Sequence, residues 1–498
     1  MSQVVVSTEC PTCSGPLDFS EGITAIRCPS CGSTLLVTGR KQVLSYWVAP
    51  RIKADVAGAV ARTGRLQASV VRSELFFVPF YRLIGHDFQW QDIPPKPAPE
   101  NEIPSMLIGG DARTADRPEI EIPLGAVLGW GADVLLGKRA GTVVRDLLGQ
   151  STPAEPSFRQ TVPAVPRSAS VNGDDASVQF LDRYVEKSFP AVDLPALGMF
   201  SLGIRTQALR VSLFRRDALA ALGTVVGPHL AETAAMTQGL AAPGFEHVVY
   251  RQVLGRVLSV IYFPLWVVEM TQGGERWLTV VDAVAESMVQ PRAPIALHDA
   301  LTRSTTDETR TVGLRPLVCP NCGWALPLEP EDVIFFCSSC QRAWQIHGID
   351  LTEMSYEIAE VASLPGPVSA RVYLPFWQLE PAAGAPTGRA CVPAFRCRRL
   401  KLLNDLATRF TTQAPVYQRS TAERPAAHGC FYDAEDAVLL ARFVAAGRGK
   451  TPDAVKAAAT TDEPAFTAAR LTWIPFKREN QSLIDPFSGL ALQEALLG

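Results

Sequence analysis

The chain is short of charge. Only 19% of its 498 residues are Asp, Glu, Lys or Arg, and the formal net charge is −3. A balance so close to neutral gives no global pull toward nucleic acid or anionic lipid. Long apolar runs are also missing. The longest, Val257 to Val268, is held between Arg256 and Glu269, well short of the roughly 20 residues a membrane-crossing helix needs. The opening MSQVVVSTEC has no charged stretch leading into a long apolar one and does not read as a secretory signal. A cytoplasmic location is therefore expected, and there thiols stay reduced and open to metal.

Histidine is scarce too. His86, His229, His247, His298, His347 and His428 are scattered, with no two at metal or triad spacing. No HExxH, GxSxG or GxGxxG in its proper context occurs. The nearest phosphate-loop lookalike, Gly449-Lys450-Thr451, has Val444 where glycine is required and follows a helical stretch rather than a strand. Helix termination accounts for Gly447 and Gly449. The chain is expected not to be an enzyme. A divergent enzyme whose residues converge only in three dimensions stands as a third reading.

Cysteine, by contrast, is ordered. Eight of the eleven fall into two sets, Cys10, Cys13, Cys28, Cys31 and Cys319, Cys322, Cys337, Cys340, each spelling C-x2-C-x14-C-x2-C. A C-x-x-C turn places two sulfurs on one knuckle, and two knuckles complete the four-thiolate tetrahedron that zinc prefers. Redox chemistry needs one dithiol, not four in two matched sets. Two Zn2+ ions are expected, both structural, because four thiolates leave no position for water or substrate. Serine at Cys13 or Cys322 is expected to unfold the corresponding ribbon. Gly15, Gly32 and Gly323 lie beside the knuckles, where tight turns call for positive φ. Cys391, Cys397, His428 and Cys430 allow a third, mixed site to be drawn, but their spacing matches no zinc pattern, and buried free cysteine is the plainer reading.

A second motif occurs four times: Phe77-Val78-Pro79-Phe80-Tyr81, Tyr262-Phe263-Pro264-Leu265-Trp266, Tyr373-Leu374-Pro375-Phe376-Trp377 and Trp473-Ile474-Pro475-Phe476-Lys477. An aromatic always stands two before the proline. Apolar on both faces, these read as buried strands, with each proline at a sheet edge or bulge because it cannot donate to a ladder. A base-stacking platform is the alternative, disfavoured because no basic residues interleave. Gly273-Gly274 predicts a hairpin after the second copy, and SLIDPFSGLAL supplies a return strand after the fourth. Asp282 and Asp485 read as solvated turn carboxylates.

Ribbons and proline motifs recur in the same order, which points to internal duplication. The paired motifs lie 185 residues apart in the first half and 100 in the second. Residues 91–177, proline-rich around IPLGAVLGWGADVLLG, account for the excess as an insertion without a counterpart. Helices are expected over 54–62, 178–188, 217–236 and 245–257, and from an Asp433 cap through Ala446 to Gly447. The segments DLPALGMFSLGIRTQALRVSLF and ACVPAFRCRRLKLLNDLATRFT occupy equivalent places. The expected class is α+β: two zinc ribbons (1–40 and 313–350) and two related mixed α/β-sheet modules (41–90 with 178–312, and 351–498). Pro79 should superpose on Pro375, and Pro264 on Pro475.

This arrangement resembles a group of bacterial proteins carrying a TFIIB-type zinc ribbon followed by YLPFW-like strands, with Arg371 to Glu380 (RVYLPFWQLE) the nearest match. The long insertion and Lys477 in place of an aromatic depart from it. The resemblance implies an accessory factor, in some cases tied to membrane-associated systems. The expected function is a non-enzymatic scaffold or adaptor that binds other proteins, reaching a membrane only through partners. Nucleic-acid binding is the alternative, since such ribbons occur in transcription machinery. Charge opposes it: Glu9, Asp18 and Glu21 outnumber Arg27 and Arg40 in the first ribbon, and Glu329, Glu331 and Asp332 outnumber Arg342 in the second. Arg396, Arg398, Arg399 and Lys401 form the one basic cluster, and a solvated face explains them equally well.

Overall fold

The computed structural model describes residues 4–39, 42–65, 67–93, 178–202, 209–240, 247–303, 313–361, 364, 370–382, 388–413, 415–419, 429–449, 451–459 and 466–497. The 91–177 segment, apart from its first three residues, lies outside them, as do His428 and Lys450. Met1–Ile93 and Asp175–Gly498 together form one compact unit. The class is α+β, with seven α-helices among the described residues.

In chain order the first half runs β1 (Val5–Glu9), β2 (Pro16–Ser20), β3 (Ala25–Arg27), β4 (Thr34–Val37), β5 (Leu44–Trp47), α1 (Ala54–Ala61), β6 (Ser69–Asp92), β7 (Val178–Pro190), β8 (Arg210–Leu213), α2 (Arg216–Ala220), β9 (Thr224–Val225), α3 (Glu232–Leu240), β10 (Val248–Gln272), β11 (Glu275–Asp282), β12 (Ser287–Ala293) and α4 (Ala296–Arg303). The second half runs β13 (Leu314–Pro316), β14 (Ile334–Phe336), β15 (Ala343–His347), β16 (Asp350–Met354), β17 (Tyr356–Glu360), β18 (Arg371–Pro381), β19 (Ala390–Pro393), α5 (Leu400–Gln413), β20 (Gln418–Arg419), α6 (Ala434–Ala446), α7 (Pro452–Ala459), β21 (Phe466–Glu479), β22 (Ser482–Ile484) and β23 (Ala491–Gln493).

All four proline segments are strands, in β6, β10, β18 and β21. In β6 and β10 the side chains alternate between two cores, as a strand buried on both faces must, while those of β18 and β21 enter a single cluster. On β6, Phe76, Val78 and Phe80 enter one cluster, while Leu75, Phe77 and Tyr81 enter another. Pro79, Pro264 and Pro475 lie inside their sheets, whereas Pro375 stands on the stretch of β18 that pairs only with β21. Each sits where its strand changes neighbours. Pro79 falls between the residues paired to β9 and those paired to β7, and Pro264 between those paired to β5 and β11. Pro375 just precedes the β19 pairing, and Pro475 separates β17 from β22. The missing N–H thus falls where no neighbouring strand requires a donor.

The two halves repeat the same pairing rules. Pro79 lies opposite Tyr262 and Pro264 opposite Phe77; Pro375 lies opposite Trp473 and Pro475 opposite Tyr373. The strand after each ribbon, β5 or β17, pairs in parallel with the second proline strand and reaches the aromatic two before the proline. The Pro79 carbonyl accepts from Ala191 N–H, and the Ala191 carbonyl accepts from His229 and Leu230 N–H. In the second half Pro375 accepts from Ala394, whose carbonyl accepts from Phe431 and Tyr432. Tyr81 Oη donates to the Leu230 carbonyl at 2.7 Å, and Trp377 Nε1 to the Tyr432 carbonyl at 2.9 Å.

Two expected helices are strands. Residues 178–188 belong to β7 and 245–257 largely to β10. Their Val, Tyr and Phe content suits a pleated surface, and the long β6 supplies a partner for both. The 217–236 helix is split into α2 and α3, with β9 between. Among the described residues, the paired segments expected to occupy equivalent places differ locally: the second holds β19 and most of α5, whereas the first carries a 3-10 turn at Pro195–Leu197 and β8. The Gly273-Gly274 hairpin and the Asp433 cap stand as read. Both glycines have positive φ, and Asp433 accepts from the Glu435 and Asp436 N–H groups. Gly447 ends α6 with right-handed geometry. Glycine is required there because a Cβ would come within 2.1 Å of Trp90.

That contact marks how the halves join. The ends of β6, β7 and β10 beyond the proline region carry Phe88, Trp90, Phe180 and Tyr250, which surround Phe443 of α6. Trp90 stacks on Phe443 at 5.2 Å, and its indole N–H donates to the Phe443 carbonyl at 3.0 Å.

Candidate metal centres

The four C-x-x-C turns share one backbone geometry. The N–H of the first cysteine donates to the carbonyl five residues on, in the pairs Cys10–Gly15, Cys28–Ser33, Cys319–Trp324 and Cys337–Arg342. The N–H four residues on donates back to the cysteine carbonyl. That residue, Ser14, Gly32, Gly323 or Gln341, has φ between 56° and 74°. The position calls for the left-handed region, yet two of four knuckles fill it without glycine. Gly15 serves a different end, since a Cβ there would lie 2.5 Å from Ser30 Oγ.

These turns bring the eight predicted cysteines into two groups, in each of which the sulfurs lie within 4.8 Å of one another. Cys10 and Cys31 Sγ are 3.9 Å apart, and Cys13 and Cys28 3.8 Å. Cys319 and Cys340 are 3.6 Å apart, and Cys322 and Cys337 3.4 Å. A tetrahedron with metal–sulfur bonds of about 2.3 Å has edges of about 3.8 Å, so both groups fit such an ion. Each group can hold a metal ion.

The donor chemistry points the same way. Burial alone would raise the Cys319 thiol, but the Cys322 and Asn321 N–H groups outweigh it and hold Cys319 at about 7. Ser33 brings Cys31 down to about 6. At Cys13 the Gly15 N–H pulls downward, yet the neighbouring sulfurs, Cys31 foremost, push it up to about 12. Four thiolates therefore coexist only around a cation.

The ribbons do not stand apart. β13, which leads into Cys319, adds to the β3–β4 hairpin of the first ribbon. Thr24 donates through its N–H and hydroxyl to carbonyls at Pro330 and Asp332. One buried cluster takes Ala25 and Leu36 from the first ribbon, and Cys319, Phe335, Cys337 and Trp344 from the second.

The remaining cysteines are dispersed. Gln378 donates to Cys391 Sγ at 3.1 Å, while Cys397 donates to the Arg399 carbonyl and Cys430 to the Tyr432 carbonyl. They form no metal-holding group among the described residues. Asp282 and Asp485 are buried rather than solvated, because their carboxylates accept from main-chain N–H groups of their own turns. Arg396 is not a solvated cation. It pairs with Glu331 and lies 5.6 Å over the Phe431 ring. Among the described residues, no helix is long and apolar enough to cross a membrane.

One polar cluster was not apparent in the sequence. Glu21, Arg82, His86, Tyr184, Glu331 and Arg396 line a cavity of about 70 Å³ where both ribbons and both halves converge. Fully buried Arg82 is paired to Glu21 and Glu186, and His86 Nδ1 lies 2.6 Å from the Tyr432 hydroxyl. Burial, aided by the Arg396 charge, lowers His86 to about 4. It is neutral in the fold but protonated in the unfolded chain below about 6.5. Its contribution is complete above that pH and lost as pH falls toward 4. Between pH 7 and 5 the loss should be roughly 2 kcal/mol. His86→Phe should flatten denaturant-measured stability over that range by this amount relative to the parent. Equal pH slopes would contradict the assignment.

Comparison with protein-family models, with curated proteins and with solved structures finds no match to this chain.

Proposed function

We propose that this chain is a non-enzymatic, zinc-binding scaffold or adaptor for other proteins, built by tandem duplication of a ribbon-plus-sheet module. The observation that carries the proposal is the pair of four-sulfur groups, the second of which has Cys319 and Cys337 in a core shared by both ribbons; four thiolates around a metal leave no position for substrate. A four-thiolate set of this size favours zinc among common cytoplasmic ions. Support for duplication comes from the matched proline registers and from the repeated hydrogen bonds around Ala191 and Ala394. Pro79 then corresponds to Pro375, and Pro264 to Pro475. The likeness to bacterial ribbon proteins with YLPFW-like strands accords with this reading, as does a cytoplasmic site of action.

Nucleic-acid binding gains nothing from Arg396, whose charge is met by Glu331. The exposed large apolar residues among the described residues of the second ribbon are Trp324, 67% exposed, Ile349, 57%, and Val318, 42%. An exposed indole suits protein contact. Affinity capture from native cells should recover a stoichiometric protein partner, and Trp324→Ala should lower that recovery at least fivefold with metal content unchanged. Salt-sensitive retention on DNA or RNA, with no protein partner recovered, would overturn the proposal.

A further inference from the structure

We infer that the two four-cysteine groups take up metal as one cooperative unit, coupled through the strand pairing that joins the ribbons. The inference rests on the reading of both groups as metal centres and adds how they are regulated.

The coupling path is short. Thr34, three residues past Cys31, accepts at its carbonyl from the N–H of Leu317, two residues before Cys319, at 2.9 Å. Leu35, Leu36 and Val37 then pair with Pro316, Arg315 and Leu314, and Thr38 N–H closes the ladder on the Gly313 carbonyl at 2.8 Å. A second tether reaches the other knuckle. Thr24, four residues before Cys28, is bonded to the carbonyls of Pro330 and Asp332, the latter five residues ahead of Cys337. The strand leading into the first cysteine pair of the second ribbon, and the turn ahead of the strand that leads into the second pair, are therefore both bonded to the first ribbon.

Packing reinforces the path. Buried Cys319 and Cys337 share their cluster with Leu36 and Ala25. A ribbon of this size has too little core to fold alone, and metal binding supplies most of its folding energy. When the first ribbon is ordered, β4 is a ready template for β13, and the second group no longer bears that ordering cost. Linkage makes the effect reciprocal: each filled group raises the affinity of the other by the same factor. Couplings of this kind span about 5- to 150-fold. Metal availability would then switch the ribbon pair, and the surface it presents, between two states rather than four.

The test uses the full-length, metal-stripped chain and Co2+ as probe. At one equivalent of added Co2+, native mass spectrometry should show metal-free and two-metal chains, with the one-metal species well below the about one half that independent, equal sites give. A one-metal species at or above that share overturns the coupling. The variant Cys13→Ser/Cys31→Ser removes two exposed ligands of the first group. In it, the thiolate–cobalt absorption of the second group should titrate with at least tenfold weaker affinity than in the parent, and parent affinity there overturns the inference. If the variant does not fold, the mass-spectrometric result on the parent decides. Failure of the parent to develop any thiolate–cobalt absorption would instead defeat the metal-centre reading itself.

Discussion

Serine in place of Cys337 is expected to remove metal from the second group and to unfold both ribbons, where the parent should carry two equivalents. Cys337 is buried and lies in the cluster common to both ribbons, so the damage should not stop at its own knuckle. Structural zinc in isolated fingers contributes about 10–16 kcal/mol of apparent binding energy. Few ribbon-sized contacts can replace a loss on that scale. Metal analysis of the purified parent should return close to two zinc equivalents. In the variant, amide exchange should accelerate in β3, β4 and β13 as well as in β14 and β15. Confinement of the change to residues 313–350 would show that the ribbons fold separately. A parent with less than one equivalent would defeat the metal assignment.

Phe376→Ala should cost about 3–5 kcal/mol, the range for emptying a buried aromatic site. Its side chain is fully buried. It stacks on Phe410 at 4.8 Å and on Phe476 at 6.0 Å, and meets Phe395 edge-on at 5.8 Å. Removing one ring therefore strips contacts from both proline strands of the second half and from α5 at once. Phe80, which holds the same place after its proline, is also fully buried and meets Phe263 edge-on. Phe80→Ala should fall in the same range. Tyr373 keeps some exposure, so Tyr373→Ala should lie toward the lower end. Denaturant unfolding with metal held constant measures all three. A cost for Phe376→Ala below about 1 kcal/mol would mean that the site collapses or is not packed as described.

The contrast between these sites and the strands misread as helices separates two kinds of information. Cysteine spacing encodes a local turn, and thiolate chemistry needs only that turn and a second like it, so both four-sulfur groups were legible in the chain. So were the proline strands, through apolar flanks on both faces, and the α6 cap, through Asp433. Residues 178–188 and 245–257 carry apolar residues that satisfy either period. Only the far end of β6, running past the proline region as a pairing partner, turns them into β7 and β10. The prolines could be placed in strands but not within the sheet, because which neighbour ends at which residue is a property of register. Pairing of β4 with β13 joins residues some 280 positions apart, and nothing local distinguishes that partner from others. The same holds for Arg82 between Glu21 and Glu186 and for neutral His86 against Tyr432. Burial and charge compensation there arise only once two halves and two ribbons meet.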